Sequence, residues 1–586
     1  MISTKIKKLR QKFSKYNIDG YIVPKNDEYF NEYSFPDRLK FISDFDGSAG
    51  LAVILFKKNY LFVDGRYTIQ AKFQSGKNFN IFEIHKKLPW KVLKHRIKLG
   101  YNPYCFTSIG LKRYFKNYFT LVPIHTDLVR AIKSKKINNK FFFLKNNISG
   151  ESSKNKIKKV INFLNKDKSD CIFITAPENV AWLLNIRGKD NPHSPIPNCR
   201  VILKKNGKIH LFTKKTKIQY LLKKNNSLKI TLVDQNKISI FLKNLNSKKI
   251  ILDKLSCSLA YENLIKNKID ISSQNDPIYN MKSIKNNIEI KNIIKSHIFD
   301  GVAVTKFLYW IKKCKKKITE LAAEKKLEYF RKKNQNYLYP SFNTISASGA
   351  HGAIIHYRAT KNSNRLIKKQ DIYLCDSGGQ YKYGTTDVTR TMRLNKQTKK
   401  IKNIFTYVLK GHIAVASANL NKIKRANLLD NLARKFLNKK GLAYPHGTGH
   451  GVGFFLNVHE GPIAISKGYK VMIKPGQVMS NEPGFYKKGK FGIRLENMIY
   501  VKKLKNKIFF KNLTMVPFDK DLINIDLLNY KEKNYLINYN LEIYSNIQKY
   551  LTYKEKFWLL SQFWNFFKIY LVQYFNFQII SHFHFS

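Results

Sequence analysis

Two segments in the C-terminal half of the chain each carry a pair of acidic residues on either side of a glycine-containing turn. In the first, LCDSGGQYKYGTTDVTRT (residues 374–391), Asp376 and Asp387 are eleven positions apart. An antiparallel hairpin centred near Tyr381 and Lys382 sets the two carboxylates opposite each other across the strands. Because two like charges so placed repel, the pattern requires a fold that brings positive charge between them.

The second segment, NEPGFYKKGKFGIRLEN (residues 481–497), repeats this pattern with Glu482 and Glu496. The midpoint between the two glutamates is Gly489, and the surrounding KKGK is where a chain reversal is expected. Lysine could neutralise four carboxylates in a basic chain, yet divalent cations satisfy more lone pairs in less space. The two predicted hairpins therefore indicate a metal site.

A glycine-rich stretch between these segments, HGTGHGVGFFLNVHEGP (residues 446–462), holds the three histidines His446, His450 and His459. It lacks the Gly-Lys-Ser/Thr of a phosphate-binding loop and the HExxH of a zinc helix. A lone histidine is usually a packed core residue, so His450 becomes a candidate ligand only because the four acids exist. One imidazole with four carboxylates favours manganese, or cobalt or iron, over a structural zinc. Two metals sharing a water suit this donor set, which indicates a hydrolase.

The charge of the chain is extreme, with 108 Lys and Arg against 38 Asp and Glu and a formal net charge of +70. Such a charge raises nucleic acid or an anionic membrane as partners. The lysines, however, are spread in short runs with Asn and Ile, and no nucleic-acid module accompanies them. We therefore predict solvated basic faces and no specific nucleic-acid partner.

The spacing of the cysteines and the sequence of the N-terminus predict the cellular location of the protein. Six cysteines lie far apart without a CxxC pair, which is typical of buried thiols in a reducing compartment. The N-terminus has no apolar segment for export, and no uninterrupted run of about 20 apolar residues occurs. A cytoplasmic location without a membrane span is predicted. We interpret the C-terminal run WLLSQFWNFFKIYLVQYFNFQII (residues 558–580) as a helix or dimer contact first and an interfacial membrane segment second. The aromatic-rich tail, residues 561–586, is set apart from the domains that precede it.

Hydrophobic periodicity predicts three domains before that tail, residues 1–135, 136–278 and 279–560. The first two alternate helices and strands, and the third begins with longer helices and carries all the chemical motifs. An amphipathic start is predicted at Ile6–Tyr16, and long helices are predicted at Ile284–Lys313 and Thr319–Lys333. Strands are predicted at Gly20–Pro24, Leu51–Phe56, Tyr60–Asp64, Cys171–Thr175, Arg200–Leu203 and Ile209–Phe212.

A series of ordered motifs resembles a known family. They are PSFNTISASGAHGAIIHYRAT (residues 340–360), DSGGQYKYGTTDVTRT, HGTGHGVGFFLNVHEGP, MSNEPGFY and GIRLEN. In this order they resemble Xaa-Pro aminopeptidase (aminopeptidase P), of the pita-bread metallopeptidases. The earlier GYIVPKNDEY, FDGSAGLAVIL, FVDGRYTIQA and AWLLNIRGKD are similar to the two creatinase-type domains of its long, three-domain form. The resemblance implies an α/β (α+β) protein with two creatinase-type α/β domains followed by a pita-bread catalytic domain.

The resemblance also implies the roles of individual residues. The metal ligands it implies are Asp376, Asp387, His450, Glu482 and Glu496. The substrate-binding residues it implies are Arg66, His356, His450 and His459, and in the family the Arg66 contact can come from the other subunit of a dimer. Glu482 relays the proton, His356 and His459 act on the reacting groups, and Arg494 orients a ligand carboxylate. The implied cofactor is a pair of divalent metals, Mn²⁺ first, with Co²⁺, Fe²⁺ or Zn²⁺ as alternatives.

Two other functions are compatible with the sequence. The first is a related pita-bread enzyme, prolidase, which cleaves only dipeptides ending in proline; the two full N-terminal domains and the HGTGHGVG form favour the aminopeptidase. The second is a non-catalytic binding protein on the same fold, which the charge of +70 suggests. Because such proteins usually lack one or more ligand residues and all five are present here, the enzyme is the favoured interpretation.

Overall fold

The computed structural model describes residues 2–33, 36–129, 139–224 and 229–562. The chain divides into two compact units, Met1–Lys282 and Ser283–Ser586. Most of the predicted aromatic tail, from residue 563 onward, lies outside the described residues. In the described part of the chain, no helix has the length and apolar character needed to cross a membrane.

The first half of the first unit is a six-stranded mixed sheet with helices. Its strands are β1 (Gly20–Pro24), β2 (Gly50–Leu55), β3 (Asn59–Val63), β4 (Asn80–Glu83), β5 (Lys98–Tyr101) and β6 (Thr120–Pro123). The helices are α1 (Ile2–Arg10), α2 (Arg38–Ser43), α3 (Thr68–Ser75), α4 (Pro89–Val92) and α5 (Ser108–Phe115). The strand order is β4-β3-β2-β1-β5-β6. All five residues of β1 are buried, as expected for a central strand covered on both faces.

A second sheet follows in the same unit. The strands of this part are β7 (Phe142–Phe143), β8 (Cys171–Ile174), β9 (Ile186–Arg187), β10 (Arg200–Lys204), β11 (Ile209–Thr213), β12 (Ile230–Asp234), β13 (Lys249–Leu252) and β14 (Asp270–Ser273). The helices are α6 (Asn146–Ser149), α7 (Ser153–Asp167), α8 (Pro177–Leu183), α9 (Lys215–Lys224), α10 (Ile238–Lys243), α11 (Leu259–Ile265) and α12 (Ile278–Ser283). The main sheet has the order β12-β11-β10-β8-β13-β14.

The two six-stranded sheets share one topology. In each, the first strand pairs antiparallel with the second and parallel with the fifth. The third strand is antiparallel to the second, the fourth is parallel to the third, and the sixth is parallel to the fifth. The predicted second round of the α/β alternation is therefore present. The predicted strands agree with the structure to within about one residue at either end, whereas the helix predicted at Ile6–Tyr16 is replaced by α1 and a short 3-10 turn at Ser14–Tyr16.

The second unit begins with two long helices. Its helices are α13 (Asn287–Lys313), α14 (Glu320–Lys332), α15 (Lys399–Ala416), α16 (Ala426–Asn438), α17 (Tyr530–Ile547) and α18 (Tyr553–Ser561). The helix predicted from Ile284 starts three residues later, because the Asn286 side chain accepts from the backbone N–H of Glu289 and the Glu289 carboxylate accepts in return. Helix α14 starts at Glu320 because Thr319 caps it.

Short antiparallel sheets make up the rest of the second unit. Their strands are β15 (Tyr337–Pro340), β16 (Ile345–Ser348), β17 (Ile372–Ser377), β18 (Gly379–Tyr381), β19 (Gly384–Thr385), β20 (Val388–Arg393), β21 (Gly449–His450), β22 (Ala464–Ile465), β23 (Val478–Asn481), β24 (Gly484–Lys487), β25 (Phe491–Arg494), β26 (Asn497–Leu504) and β27 (Lys507–Asn512). Phe307 of α13, Phe405 of α15, Ile543 of α17 and Tyr373 of β17 are fully buried in one core cluster. The helices thereby support β17, the strand that carries Asp376.

Candidate metal centre

The first acidic pair lies where β17 ends and β20 begins. The two strands are antiparallel with Asp376 opposite Thr389, and the hairpin turns at Lys382–Tyr383, between the paired Tyr381 and Gly384. The prediction that Asp376 and Asp387 lie directly opposite each other is therefore wrong by two residues of register. Because side chains alternate with a period of two, this shift keeps both carboxylates on one face of the hairpin.

The second acidic pair is in direct register. Asn481 lies opposite Asn497 in the β23–β26 pair, and Gly484 lies opposite Arg494 in the β24–β25 pair. One register therefore runs through both strand pairs, and it places Glu482 and Glu496 opposite each other. The turn is at Gly489, whose φ of 69° is the left-handed conformation that glycine adopts without strain.

The two hairpins and the histidine-rich segment meet in one cluster. Asp387, His450 and Glu496 each offer one ligand atom, and these atoms all lie within 4.8 Å of one another. The Nε2 atom of His450 is 3.6 Å from Oδ2 of Asp387 and 3.5 Å from Oε1 of Glu482. Asp376 adjoins this cluster, because Arg494 donates both to Asp376 and to Thr389, and Thr389 donates to Glu496. The structure therefore brings together all five residues that the resemblance implies as ligands.

The segment containing residues 446–462, the histidine loop, presents His450 in a form suited to metal binding. The backbone N–H of His450 donates to the Ser480 hydroxyl at 3.0 Å, and that hydroxyl donates to Glu482 at 3.2 Å. The His450 Nδ1 atom lies 3.0 Å from the carbonyl of Gly451, which can only accept. Nδ1 is therefore the donor in this contact, and Nε2, the other ring nitrogen, is directed at the carboxylates and is the atom that would bind a metal.

The other predicted histidines differ in their surroundings. The rings of His459 and His450 are 4.3 Å apart, centroid to centroid, so His459 lies beside the cluster. His356 is half-buried and follows Ile355, whose carbonyl accepts a hydrogen bond from Arg494 at 3.3 Å. His446 hydrogen bonds through Nε2 to the Tyr486 hydroxyl at 2.8 Å.

Arg494 connects several of these groups. Its guanidinium donates to Oδ2 of Asp376 at 2.6 Å, to the Tyr486 hydroxyl at 2.8 Å and to the Thr389 hydroxyl at 3.2 Å. Thr389 in turn donates to Oε2 of Glu496 at 2.8 Å. These contacts are compatible with the predicted role of Arg494, which is to orient a ligand carboxylate. Sequence reasoning missed Thr389, Tyr486 and Ser480, although all three lie within the motifs DVTRT and MSNEPGFY.

Arg66 belongs to the first unit. It lies in a short 3-10 turn at Gly65–Tyr67, and its Nε donates to Oδ1 of Asp64 at 2.8 Å. Asp64 also pairs with His85 at 3.2 Å. The predicted contact of Arg66 with a substrate stays a prediction.

The electrostatics of the cluster are those of a site that lacks positive charge. Burial raises the pKa of Asp387 well above its ordinary value, and the neighbouring Asp376 and Glu482 carboxylates raise it further. Burial, together with Asp387 and Glu482, does the same to the pKa of Glu496. Burial also raises the pKa of Glu482, against the opposing effect of His450 and Arg494.

Unsatisfied oxygens test whether a metal fits. The Oδ1 atoms of Asp376 and Asp387 are buried, and neither accepts a hydrogen bond from any residue in the described part of the chain. Buried acceptors are nearly always satisfied in folded proteins. The orphaned carboxylate oxygens, the Nε2 atom of His450 directed at the acids, and the raised carboxylate pKa values fit a divalent cation with hard oxygen ligands.

Comparison with known proteins identifies the family. The model of metallopeptidase family M24 matches residues 291–503, and the C-terminal region of that peptidase family matches residues 507–563. Creatinase/prolidase N-terminal domain models match residues 5–132 and 133–289. A probable Xaa-Pro aminopeptidase P from Laccaria bicolor is 35% identical over 582 residues, which cover 93% of this chain and 90% of that protein. The chain belongs to the Xaa-Pro aminopeptidase P family of M24 metallopeptidases.

Solved structures agree with membership in the Xaa-Pro aminopeptidase P family. X-prolyl aminopeptidase from Caenorhabditis elegans, described as a cytosolic enzyme with a di-nuclear active site, superimposes with a TM-score of 0.89 at 28% identity. The match covers 96% of this chain and 99% of that one. Prolidase from Pyrococcus horikoshii OT3 gives a TM-score of 0.52 at 27% identity and covers 62% of this chain. The predicted family, the fold class and the assignment to the metallopeptidases are confirmed.

Proposed function

We propose that this protein removes the N-terminal residue from peptides whose second residue is proline. The observation that carries the proposal is the buried cluster of four carboxylates and His450, with orphaned oxygens, on a chain similar to Xaa-Pro aminopeptidases over nearly its whole length. Proline has no N–H and a fixed φ, so peptidases that require an extended, hydrogen-bonded chain fit it poorly. A site shaped for the proline ring can bind and cleave the bond that precedes the proline.

Two divalent cations are the proposed cofactors. The residues that would hold them are Asp376, Asp387, His450, Glu482 and Glu496. Manganese is the proposed ion because the donors are hard oxygens with a single imidazole, and cobalt, iron and zinc are the alternatives. Such cations supply Lewis acidity, which polarises a carbonyl and makes water nucleophilic near neutral pH.

The side chains around the cluster supply the proton transfers. Glu482, whose pKa is raised by burial, is the proposed acceptor of the proton from the attacking water. His459, whose ring lies 4.3 Å from that of His450, and His356 are the proposed donors to the oxygen and nitrogen atoms of the reacting amide. Arg494 holds Asp376 in place, and Arg66 is proposed to contact the substrate.

A homodimer is the proposed assembly, since in the family the contact corresponding to Arg66 can come from a second subunit. A cytoplasmic location is supported by six free thiols, all in the described part of the chain, of which five are buried. The proposed domain limits remain 1–135, 136–278 and 279–560, with a tail at 561–586.

The alternative function is that of an Xaa-Pro dipeptidase. The cluster alone does not distinguish the two activities, because cleavage of a dipeptide and of a longer peptide is the same hydrolysis of an Xaa-Pro bond. What favours the aminopeptidase is coverage: the C. elegans aminopeptidase matches 96% of this chain, and the Pyrococcus prolidase matches 62%.

The test measures arginine release from an Arg-Pro-Pro peptide by the full chain, after removal of metal and after return of Mn²⁺. We expect release only with metal, and none from Asp387→Ala. The matched control is Asp526→Ala, which removes an exposed aspartate of the same unit and is expected to retain full activity. Turnover of Arg-Pro with none of Arg-Pro-Pro would establish the dipeptidase instead. Failure of both peptides with every divalent metal would reject both functions.

A further inference from the structure

A buried ion pair lies directly beside the histidine loop's proposed catalytic histidine. The Lys285 ammonium donates to Oε1 of Glu460 at 2.7 Å, and both side chains are 1% exposed. Lys285 also donates to the carbonyl of Ser283 at 3.4 Å. Glu460 immediately follows His459 in the chain, so the ion pair fixes the backbone next to that histidine.

Such a pair is not explained by stability alone. Removing two charges from water costs about as much free energy as their attraction in the interior recovers. Well-packed apolar residues of similar size would stabilise the fold equally well. The best-attested role of a buried ion pair is to select one conformation over its alternatives. The question is therefore which geometry this pair specifies.

One end of the pair is fixed to the strand that leads to Glu482. The backbone N–H of Lys285 donates to the carbonyl of Gly476 at 2.9 Å, and Ile284 forms an antiparallel bridge with Gln477. Gln477 directly precedes β23, which ends at Asn481 beside Glu482. The position of the Lys285 backbone is thus set by the same strand that places the proposed proton acceptor.

The other end holds the histidine loop. The Glu460 backbone N–H donates to the carbonyl of Gly451 at 2.8 Å, next to His450. Three residues before His459, the carbonyl of Leu456 accepts from the Gln380 side chain at 2.9 Å and from Thr385 at 3.3 Å. His459 is therefore held between an anchor at Leu456 and an anchor at Glu460.

We propose that Lys285 and Glu460 are positioning residues that fix His459 relative to Glu482 during the reaction. The proposal rests on the proposed aminopeptidase function. Neither residue is one of the proposed metal ligands or substrate-binding residues; the pair acts by holding the loop at a set distance from β23. Loosening it misplaces the imidazole, and a displacement of about 1 Å at such a site can cost up to 100-fold in rate.

The first experiment compares Lys285→Met with wild type in the manganese-loaded full chain. We expect kcat on Arg-Pro-Pro to fall about 10- to 100-fold, with KM changed less than about threefold. Mn²⁺ affinity, measured by calorimetry, is expected to be unchanged, because no ligand is altered. Lys285→Arg, which keeps the positive charge, is expected to recover most of kcat. Glu460→Gln is the milder second variant should Lys285→Met fold poorly.

The matched control is Lys410→Met, which breaks another Lys–Glu pair of the same unit, Lys410–Glu532, in which the two side chains are 12% and 9% exposed. It is expected to lower thermal stability but leave kcat unchanged. An equal fall in kcat for Lys410→Met would overturn the proposal, since the effect would then be one of general stability.

The decisive test is a double-mutant cycle with His459→Ala. If the pair acts through His459, Lys285→Met lowers kcat less than about threefold once the imidazole is gone. An undiminished fall in the His459→Ala background contradicts the proposal while leaving the aminopeptidase function intact. Absence of any metal-dependent release by the wild type rejects the function itself, and this inference with it.

Discussion

Acidic side chains of the first unit and those of the candidate metal centre in the second unit differ in how their charge is neutralised. In the first unit, Lys217 pairs with the Asp190 side chain, which is 5% exposed. The partly exposed Asp37 and Asp127 pair with Lys25 and Arg38. In the second unit, Asp387 and Glu496 lie among other acids, and in the described part of the chain no lysine pairs with either. The chain neutralises Asp190 with its own lysine and leaves Asp387 and Glu496 without one.

The difference is informative because cations are abundant in this chain. With 108 Lys and Arg against 38 acids, a lysine beside Asp387 would be easy to supply. Arg494 instead donates to Oδ2 of Asp376, and the Oδ1 atoms of Asp376 and Asp387 accept no hydrogen bond within the described part of the chain. Uncompensated buried charge in so basic a protein is the physical mark of a site for an external cation.

The largest expected effect comes from removing one uncompensated acid. Asp387→Asn should lower kcat/KM on Arg-Pro-Pro by about 10³-fold or more, because it removes a proposed metal ligand. In the metal-free protein the same change should raise the melting temperature or leave it unchanged, since it relieves repulsion. Calorimetric melting with and without Mn²⁺ checks this, and a large loss of metal-free stability would show that the cluster does not lack positive charge.

The opposite result is expected in the first unit. Asp190→Asn leaves the Lys217 ammonium buried without a counter-charge and should lower the free energy of unfolding by about 3–5 kcal/mol. Urea denaturation measures this. Glu83→Gln, which breaks the exposed pair with Lys86 in the same unit, should cost at most about 1 kcal/mol. Equal costs for the two variants would remove the contrast between buried and exposed pairs.

Asp276 sharpens the comparison, because it is a buried acid of the first unit held by Asn179 and a backbone N–H instead of by a cation. Burial raises its pKa to about 6. The folded state therefore favours the protonated form of Asp276. Its contribution to the free energy of unfolding, roughly 3 kcal/mol, is fully present below about pH 4 and is lost as the pH rises through about 6. Asp276→Asn should abolish that part of the pH dependence in urea denaturation at pH 4.5 and 7.5; an unchanged profile would contradict it.

The smallest expected effect is on the orienting arginine. Arg494→Lys keeps the charge but loses the simultaneous contacts with Asp376, Tyr486 and Thr389, and should weaken Mn²⁺ binding about 10- to 100-fold. Metal titration followed by calorimetry measures this. Arg393→Lys, at a partly exposed pair with Asp521, should bind Mn²⁺ as wild type does. Unaltered affinity in Arg494→Lys would show that Asp376 is fixed by other groups.

Sequence reasoning predicted the two hairpins with unequal success. The glutamate hairpin has the predicted register because Gly489 is the turn residue, with φ positive. The aspartate hairpin was predicted two residues out of register because its glycines do not mark the turn. Gly378 is needed for packing: a Cβ there would lie 2.0 Å from the carbonyl of Thr386. A glycine in a sequence does not disclose which of these two roles it has.

Other features of the site depend on contacts between distant segments. The repeated α/β alternation of the first unit, the long helices and the histidine-rich segment follow from local patterns and were predictable. The Arg494–Thr389–Glu496 connection and the Lys285–Glu460 pair join residues more than 100 positions apart, and no local pattern encodes them. Tyr486 was visible within a quoted motif, but its partners were not.

The wide spacing of the acidic hairpins has a consequence for biosynthesis. Asp376 and Glu496 come from strands that meet only after the histidine loop and β23 have been made and folded between them. A growing chain that ends before Glu496 exposes two or three acids with no enclosing partner, and such an open set binds divalent ions weakly. Tight metal binding is therefore expected only late in synthesis, after Glu496 has been added. Truncated chains that end before Glu496 are expected to bind divalent ions weakly.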